Sequence, residues 1–515
     1  MKKLFVLVLA ISMVFSFVAC GQTPSDESGH PDTFVAAISG EVLTLDPQIA
    51  AGTPAEIARM QMFEPLVIQN DDGTFSPCLA TDWKVSDDGA VYTFYLREGV
   101  KFHDGSDFNA DDVVATFQRL LDRKYGAARV TDIPNTIGVE KVDEYTVNII
   151  NDGPVGNFLN QIAYGTGFIM SADAIEEYKE DLGTNPIGTG PYKLVDFQSS
   201  EYVEVERFDD YWGEASPIDK VKIVCVTEAA TRTNMILTGE AQYAQDISPQ
   251  DVTSIEESGI ANIRYDESNR VFQVGFNLNV EPLNNVLVRQ AMNYAIDKDA
   301  IIEGVLGGAG SITKNVVATN VFGYVDGPYT YDLDKAKALM KEAGYEDGFE
   351  MTIWTPQGRY YKDKDVVLAV AEQLKAININ LKVEVHDWST YLQEVKMAPE
   401  ETKCSMYIFG WECYTREAGY SINTLFTKKQ WAPAGWNVMY YENDKLEEVN
   451  EKIMHCTDQA EREEYMHEAL GIIMEDAPWI PIFSYDQISA VANGLEGIDV
   501  LPTQLSVFKN AYWAE

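Results

Sequence analysis

Strand-like and helix-like patterns alternate along most of this 515-residue sequence. The clearest unit consists of an apolar strand at residues 351–354, an amphipathic helix at 365–376 and a second strand at 381–385. Two strands joined through a helix pair in parallel, because the crossover helix must pack back on the sheet that both strands share. The sequence therefore predicts helices packed on a sheet.

Shorter patterns elsewhere agree with this prediction. Residues 33–38 form a mostly apolar run, which predicts a buried strand, and residues 91–96 alternate polar and apolar, which predicts a strand with one exposed face. Asn109 is a favourable N-cap for the amphipathic helix that follows it. The helical pattern of residues 334–343 ends at Gly344, a residue that tolerates the positive φ found after many helices. The predicted fold class is α/β.

The N-terminus has the pattern of an export signal. Lys2 and Lys3 precede a run of apolar and small residues at 4–19, which stops at Cys20. A charged start, a short apolar segment and a small residue before a cleavage point are typical of a removed leader. The run is shorter than the roughly 20 residues that span a bilayer, so it is interpreted as a signal peptide (1–19) and not as a permanent anchor.

Residues 17–20 also resemble the lipobox of bacterial lipoproteins, with Phe17 where leucine is usual. The resemblance implies that Cys20 is lipidated and becomes the new N-terminus. Residues 20–32 would then form a flexible linker that tethers a globular body to the extracytoplasmic face of the cell membrane. A plain secretory signal without lipid is the alternative.

Chain length and charge limit the possible partners. About 480 residues remain after the linker, which is enough for two or three domains. The sequence has 81 acidic and 39 basic side chains and a net charge of −42. Nucleic acid is excluded as a general partner, because binding phosphates needs a basic surface. Repulsion between copies favours a soluble monomer, and attraction of cationic solutes is a weaker alternative.

No pattern in the sequence indicates a metal, a cofactor or a catalytic centre. Cys78, Cys225, Cys404, Cys413 and Cys456 contain no CxxC pair, so neither a zinc site nor a disulfide framework is predicted, and only Cys404 and Cys413 are close enough in sequence for a bridge to be tested. The histidines form no HExxH motif, and a GxSxG motif is absent from the sequence. We therefore expect no cofactor and no enzymatic activity.

Motifs spread over most of the chain resemble the extracellular solute-binding proteins of family 5, which serve peptide and nickel ABC importers. The matching segments, in the order of the family, are residues 45–47, 62–66, 79–83, 92–105, 109–113, 188–192, 207–212 and 288–297. The resemblance implies a binding protein that captures a solute and delivers it unaltered to the permease subunits of an ABC transporter.

The resemblance also implies a periplasmic-binding-protein type II architecture, in which two lobes close on a ligand and an extra domain is inserted in the first lobe. Applied to this chain, lobe I comprises residues 33–68, 185–270 and 480–515. The inserted domain comprises residues 69–184, and lobe II comprises residues 271–479. These three names are used below with these boundaries.

One expected ligand-binding motif departs from the family pattern. In peptide-binding members, a tryptophan after a glycine is followed three residues later by an aspartate that holds the α-amino group of the peptide. Here Trp411 follows a glycine, but Tyr414 stands where the aspartate is expected. The resemblance places Trp411 at the floor of the cleft, with packing beside the lobe connection as the alternative. Glu412 or Glu417 is a candidate substitute anchor, with a solvated loop charge as the alternative.

Two further residues are candidate ligand contacts. Arg359 matches a carboxylate-binding arginine of short-peptide binders, and a guanidinium can hold a carboxylate through two parallel hydrogen bonds, although a structural role is equally compatible. Glu41 lies in a loop that faces the cleft in this family. The leading ligand is an oligopeptide or dipeptide, and the alternatives are an oligosaccharide, a glutathione-like compound or a metal chelate. A hydrolase or signalling receptor on the same fold is less favoured.

Overall fold

The computed structural model describes residues 31–514, so the predicted leader, Cys20 and most of the predicted linker lie outside the described residues. The strands are β1 (Phe34–Ile38), β2 (Val67–Gln69), β3 (Phe75–Pro77), β4 (Ala80–Val85), β5 (Val91–Leu96), β6 (Thr136–Asp143), β7 (Thr146–Asn151), β8 (Tyr192–Gln198), β9 (Tyr202–Arg207), β10 (Lys220–Cys225), β11 (Tyr243–Ala244), β12 (Ala261–Phe276), β13 (Gly310–Ile312), β14 (Phe349–Pro356), β15 (Ile379–His386), β16 (Met406–Glu412), β17 (Trp479–Ala492), β18 (Leu495–Glu496), β19 (Asp499–Val500), β20 (Ser506–Val507) and β21 (Tyr512–Trp513). The α-helices are α1 (Thr53–Arg59), α2 (Ala110–Leu121), α3 (Phe158–Ile162), α4 (Ala172–Tyr178), α5 (Ala229–Thr238), α6 (Val252–Ser258), α7 (Val286–Tyr294), α8 (Lys298–Ile301), α9 (Leu333–Glu342), α10 (Asp363–Leu374), α11 (Trp388–Val395), α12 (Ala418–Phe426), α13 (Asp444–His455) and α14 (Gln459–Asp476).

The strand–helix–strand unit predicted in lobe II is confirmed as β14, α10 and β15. The two strands are parallel, with Met351 opposite Leu381. Helix α10 buries Val366, Val370 and Leu374 against them. Apolar side chains recur at helical spacing on one side of α10, so the helix can cover the sheet while its other side faces solvent.

The largest sheet of the described chain has eleven strands and passes through both lobes. Its order is β15-β14-β16-β12-β17-β11-β1-β10-β9-β8, with β13 added beside β17. The long antiparallel strands β12 and β17 connect the lobes. Their pairing is interrupted by a register shift between Glu267 and Val271 in β12, opposite residues 484–486 of β17. We propose that this interruption separates lobe I from lobe II.

The buried apolar clusters follow the same division. The largest cluster extends from Val271 to Phe483 and forms the core of lobe II. It includes Trp479 and Ile480, which the sequence-based boundary divides between the lobes. We therefore propose that the second connection crosses near Ser484, and the other domain boundaries stay as proposed from the sequence.

The inserted domain is built on an antiparallel sheet of order β4-β5-β7-β6. Strand β5 buries Tyr92, Phe94 and Leu96 and leaves the residues between them partly exposed, as the alternation in the sequence predicts. The predicted N-cap is confirmed, because Oδ1 of Asn109 accepts from the Asp111 amide at 2.8 Å at the start of α2. Among residues 31–514, none of the helices combines the length and apolar character needed to cross a membrane.

Candidate functional site

Arg359 projects from the loop that follows β14. Its backbone amide donates to Oδ2 of Asp363 at 3.0 Å, which ties this loop to the start of α10. The exposed guanidinium lies 4.9 Å from the ring centroid of Trp388 and 5.4 Å from that of Tyr360. Within the described residues, no carboxylate forms an ion pair with it. Arg359 is therefore a cation held over aromatic rings with its hydrogen-bond donors available.

Glu412 forms an ion pair with Arg270 on the neighbouring strand. The two residues are directly opposite each other in the antiparallel pairing of β12 and β16. Burial raises the pKa of the Glu412 carboxyl, and the charges of Arg270 and Arg359 oppose that increase. Oε2 of Glu412 binds Arg270, and Oε1 has no hydrogen-bond partner in residues 31–514. The site thus contains two cations around one carboxylate.

Trp411 packs on the other face of β16, because successive residues of a strand point to opposite faces. Its ring stacks on Tyr420 with centroids 6.2 Å apart and meets Trp436 at 5.5 Å in an edge arrangement. The indole Nε1 is buried without a hydrogen-bond partner among the described residues. The structure therefore places Trp411 in an aromatic cluster and not beside Arg359. Its predicted contact with ligand stays a prediction.

Tyr414 follows β16 and is 62% exposed. Together with Tyr420, it lines a cavity of about 570 Å³ where lobe II meets the inserted domain and part of lobe I. Burial of the hydroxyl group raises the pKa of Tyr414, Glu412 raises it further, and Arg359 lowers it. Tyr414 therefore lies between the arginine site and this cavity.

Glu417 lies in the interior, where its carboxylate forms an ion pair with the equally buried Arg462. Burial raises the pKa of Glu417, and the charge of Arg462 opposes that increase. A ligand ammonium group at Glu417 would have to displace Arg462. The role of Glu417 as a substitute anchor is thus less compatible with its surroundings than the corresponding role of Glu412, and both stay untested.

Glu41 is exposed in the loop after β1. Strand β1 is parallel to β10 and β11, so this loop leaves the sheet at the carboxyl ends of these strands, where ligands of α/β proteins commonly bind. The side chain of Leu43 in the same loop is also exposed. In the described part of the chain, Glu41 forms no ion pair. Its predicted role in binding is therefore still a proposal.

The cysteines in residues 31–514 are all free thiols. Cys404 and Cys413 lie just beyond opposite ends of β16, and a strand of that length separates them by about 20 Å, so they cannot form a bridge without unfolding. In the described residues, no group of three or more His, Cys, Asp or Glu side chains is arranged to hold a metal ion.

Several residues of the site were not found from the sequence. Arg270 lies 142 positions before its partner Glu412, and only the strand register brings the two together. Trp388 and Tyr420 are ordinary aromatic residues at the starts of helices. The opposite wall of the cavity comes from the inserted domain, where Asp132 and Asn160 carry no motif. No sequence signal marks these positions, because Arg270 lies within a long strand and Asn160 within a short helix.

Comparison with known proteins identifies the family of this chain. A profile of the bacterial extracellular solute-binding proteins, family 5, middle region, matches residues 74–433. The glutathione-binding protein GsiB of Escherichia coli (strain K12) is 31% identical over 482 residues, which cover 93% of this chain and 94% of that protein. GsiB of Salmonella typhi is 32% identical over 473 residues, covering 91% and 92%.

Solved structures show the same architecture. HbpA2 from Haemophilus parasuis has a TM-score of 0.85 at 27% identity, covering 94% of this chain and 100% of that chain. The ABC transporter-associated periplasmic binding protein DppA from Helicobacter pylori, in complex with the peptide STSA, has a TM-score of 0.71 at 27% identity and covers 94% and 98%. The chain therefore belongs to the bacterial extracellular solute-binding proteins of family 5 and has their type II periplasmic-binding fold.

Proposed function

We propose that this protein captures a short peptide between its lobes and delivers it unaltered to an ABC importer. The observation that carries the proposal is the unpaired guanidinium of Arg359, which lies over Trp388 beside the Arg270–Glu412 ion pair. A carboxylate of the solute would bind Arg359 through paired, charge-assisted hydrogen bonds. The DppA structure, which contains a bound peptide, is a relative in which this type of ligand is known.

Capture would use the two connecting strands. The register shift between Glu267 and Val271 removes ladder pairing where β12 and β17 pass from one lobe to the other, so bending concentrates there. A solute that contacts both lobes favours the closed arrangement by the contacts that exist only in that arrangement. The permease would then recognise the closed form. No chemical step on the solute is required.

A glutathione-like tripeptide is the second candidate. One observation favours it: relatives about one-third identical are named glutathione-binding proteins. Glutathione has two carboxylates, and the site has two arginines, Arg359 and Arg270, around one glutamate. Because Glu412 already pairs with Arg270, one carboxylate of glutathione would bind Arg359, and the surplus negative charge of the solute complements the surplus positive charge of the site.

We further propose that the mature chain is held outside the cell membrane by lipid on Cys20, as the lipobox-like segment implies. A tether raises the local concentration of the binding protein near the permease without any additional contact. A Cys20→Ala variant expressed in a bacterial host would be released into the soluble extracytoplasmic fraction, whereas the unaltered protein would remain with membranes. Release of both forms would contradict lipid anchoring.

The proposed function is tested with the purified chain from residue 31 onward. Thermal unfolding and isothermal titration are measured with a panel of di-, tri- and tetrapeptides, reduced and oxidised glutathione, and maltotriose. A ligand that binds only the folded state raises the midpoint temperature. We expect peptides or glutathione to raise it, and mass spectrometry to recover the bound compound intact. Binding of maltotriose alone, or hydrolysis of a bound peptide, would contradict the proposal.

A further inference from the structure

The cavity beyond Tyr414 has two different walls. The lobe II wall is formed by Tyr414 and Tyr420. The inserted-domain wall is formed by Asn160 and Gln161 of α3 together with Asp132. At about 570 Å³, the space is large enough for one end of a peptide-sized solute.

The inserted-domain wall presents hydrogen-bond acceptors. The Nδ2 group of Asn160 donates to the carbonyl oxygen of Thr415 at 3.1 Å, whereas Oδ1 has no partner in residues 31–514, although the side chain is only 4% exposed. Gln161 repeats this arrangement, since its Nε2 donates to Asn157 at 3.0 Å and its Oε1 is buried without a partner. Oε2 of Glu56, which lies in lobe I beside this wall, is a third such oxygen. Buried acceptors without partners are costly, so these atoms favour a ligand that donates hydrogen bonds.

The positive and negative charges on this wall nearly balance. The hydrogen-bond donors and acceptors of the wall therefore decide which chemical group of a ligand it can bind. Arg129 donates to Asp132 at 2.8 Å and to Glu56 at 2.6 Å, and Arg59 neutralises Glu56 from the interior at 3.2 Å. Oδ2 of Asp132 also accepts from the Thr166 hydroxyl at 2.6 Å. The oxygens that remain on this wall accept but cannot donate. A primary ammonium group has three donors and no acceptor, and it therefore matches them.

The two tyrosines connect this cavity to the arginine site. Tyr414 stands two positions after Glu412, the last residue of β16, and it lines the cavity. Tyr420 also lines the cavity, and its ring stacks on that of Trp411, the neighbour of Glu412 in β16, with the centroids 6.2 Å apart. A solute that contacts Arg359 can therefore extend past Tyr414 towards Asp132.

We propose that this cavity takes the ammonium-bearing end of the solute whose carboxylate end binds Arg359. The inference rests on the proposed function. It assigns to this cavity the binding of the amino group, which in peptide-binding members is the role of the aspartate expected at position 414. The tyrosine at position 414 does not hold the amino group. Tyr414 lines the route by which the amino end reaches Asn160, Gln161 and Asp132.

Paired peptides with and without a free amino group test this proposal. Isothermal titration compares Ala-Ala-Ala with N-acetyl-Ala-Ala-Ala, and glutathione with N-acetylglutathione, for the unaltered chain and for Asp132→Asn and Gln161→Met. Asp87→Asn is the matched control, because Asp87 is exposed in the inserted domain and does not line the cavity. Thermal unfolding of each variant verifies that it is folded.

We expect acetylation to weaken binding to the unaltered chain by about tenfold or more, as loss of a charge-assisted hydrogen bond would. Asp132→Asn and Gln161→Met should weaken binding of the free amines several-fold and leave the acetylated compounds unchanged. Equal affinity with and without the acetyl group, or variants indistinguishable from Asp87→Asn, would overturn the inference and leave solute capture intact. If neither pair binds the unaltered chain, the proposed function fails together with the inference.

Discussion

Arg270 and Glu412 face each other across neighbouring strands and form an ion pair next to the expected ligand site. This pair satisfies one guanidinium of the site and leaves the other, on Arg359, without a carboxylate in the described residues. The division gives each arginine a different task. Arg270 compensates a buried negative charge, and Arg359 remains available to a ligand.

Replacement of Arg359 should weaken binding of solutes with a free carboxylate. For Arg359→Ala we expect the dissociation constant, measured by titration calorimetry, to rise by about a hundredfold, because a bidentate charged contact is lost. Arg359→Lys keeps the charge but not the planar fork, so an intermediate loss is expected. Lys337→Ala, an exposed cation on α9 in the same lobe, is the control. Unchanged affinity in Arg359→Ala would remove this residue from the site.

Loss of Arg270 should destabilise the fold through Glu412. In Arg270→Met, the buried carboxylate loses its partner, and we expect the free energy of unfolding to fall by about 3 kcal/mol. The double variant Arg270→Met/Glu412→Leu removes both charges and should recover most of that loss. Urea denaturation at neutral pH measures both variants. If the double variant is no more stable than Arg270→Met, an unpaired Glu412 charge is not the cause.

Contact between the inserted domain and lobe II can be tested at a glycine. Gly73 has φ of 81°, and an added Cβ would overlap the ring of Phe322 in lobe II. The carbonyl oxygen of Gly73 also accepts from Gln459 at 2.7 Å. We expect Gly73→Ala to lower the free energy of unfolding by about 1–3 kcal/mol more than a glycine replacement without an overlap.

Gly99→Ala is the matched control for that overlap. Gly99 lies in the same inserted domain and has φ of 76°, but its added Cβ would meet no atom within 4 Å. Both variants therefore carry the backbone strain of an alanine at positive φ, and only Gly73→Ala carries the overlap. Amide hydrogen exchange should become faster around residue 73 and around Gln459 in Gly73→Ala alone. Equal exchange in the two variants would contradict a packed contact here.

Lys298 should make stability depend on pH. Its Nζ donates to the carbonyl oxygen of Thr313 at 2.8 Å, and burial, with a smaller effect of Lys314, lowers the pKa of Lys298 to about 7. Between about pH 7 and 10, the unfolded chain binds this proton and the folded chain does not. The free energy of unfolding therefore rises with pH in this window, by at most about 1.4 kcal/mol per pH unit.

Urea denaturation between pH 7 and 10 measures this slope. Lys298→Met lacks the titrating group, so its unfolding free energy should change less with pH than that of the unaltered chain. The substitution also removes the hydrogen bond to Thr313, which shifts stability by a similar amount at every pH and does not affect the comparison of slopes. Parallel pH profiles for the two proteins would mean that Lys298 is charged in the folded state.

Local features of the fold could be predicted because their causes are local. The parallel strands β14 and β15, the alternating burial of β5 and the cap at Asn109 each depend on residues within one short segment. The rest of the architecture was predicted from the resemblance of the motifs to the family. The position of the second lobe connection was harder to predict, because an apolar segment such as residues 479–483 would suit the core of either lobe. Only the packing in the structure assigns these residues to the core of lobe II.

The candidate site depended on contacts that no short segment determines. Trp411 and Glu412 are adjacent in sequence, but alternation along β16 sends one into an aromatic cluster and the other to Arg270. The cavity beyond Tyr414 joins loops from opposite domains. The sequence was therefore enough to name Arg359 and Trp411 as candidate site residues, whereas the residues that contact them could be identified only in the folded chain.

The interrupted pairing between β12 and β17 ends at Val271, directly after Arg270. Under the proposed capture mechanism, a rotation of one lobe against the other would pivot beside the residue that neutralises Glu412. Any change of angle at this pivot must move the Arg270 guanidinium relative to its carboxylate partner or carry both along with lobe II. In the first case, the electrostatic field that an incoming anion meets would change with the degree of lobe opening.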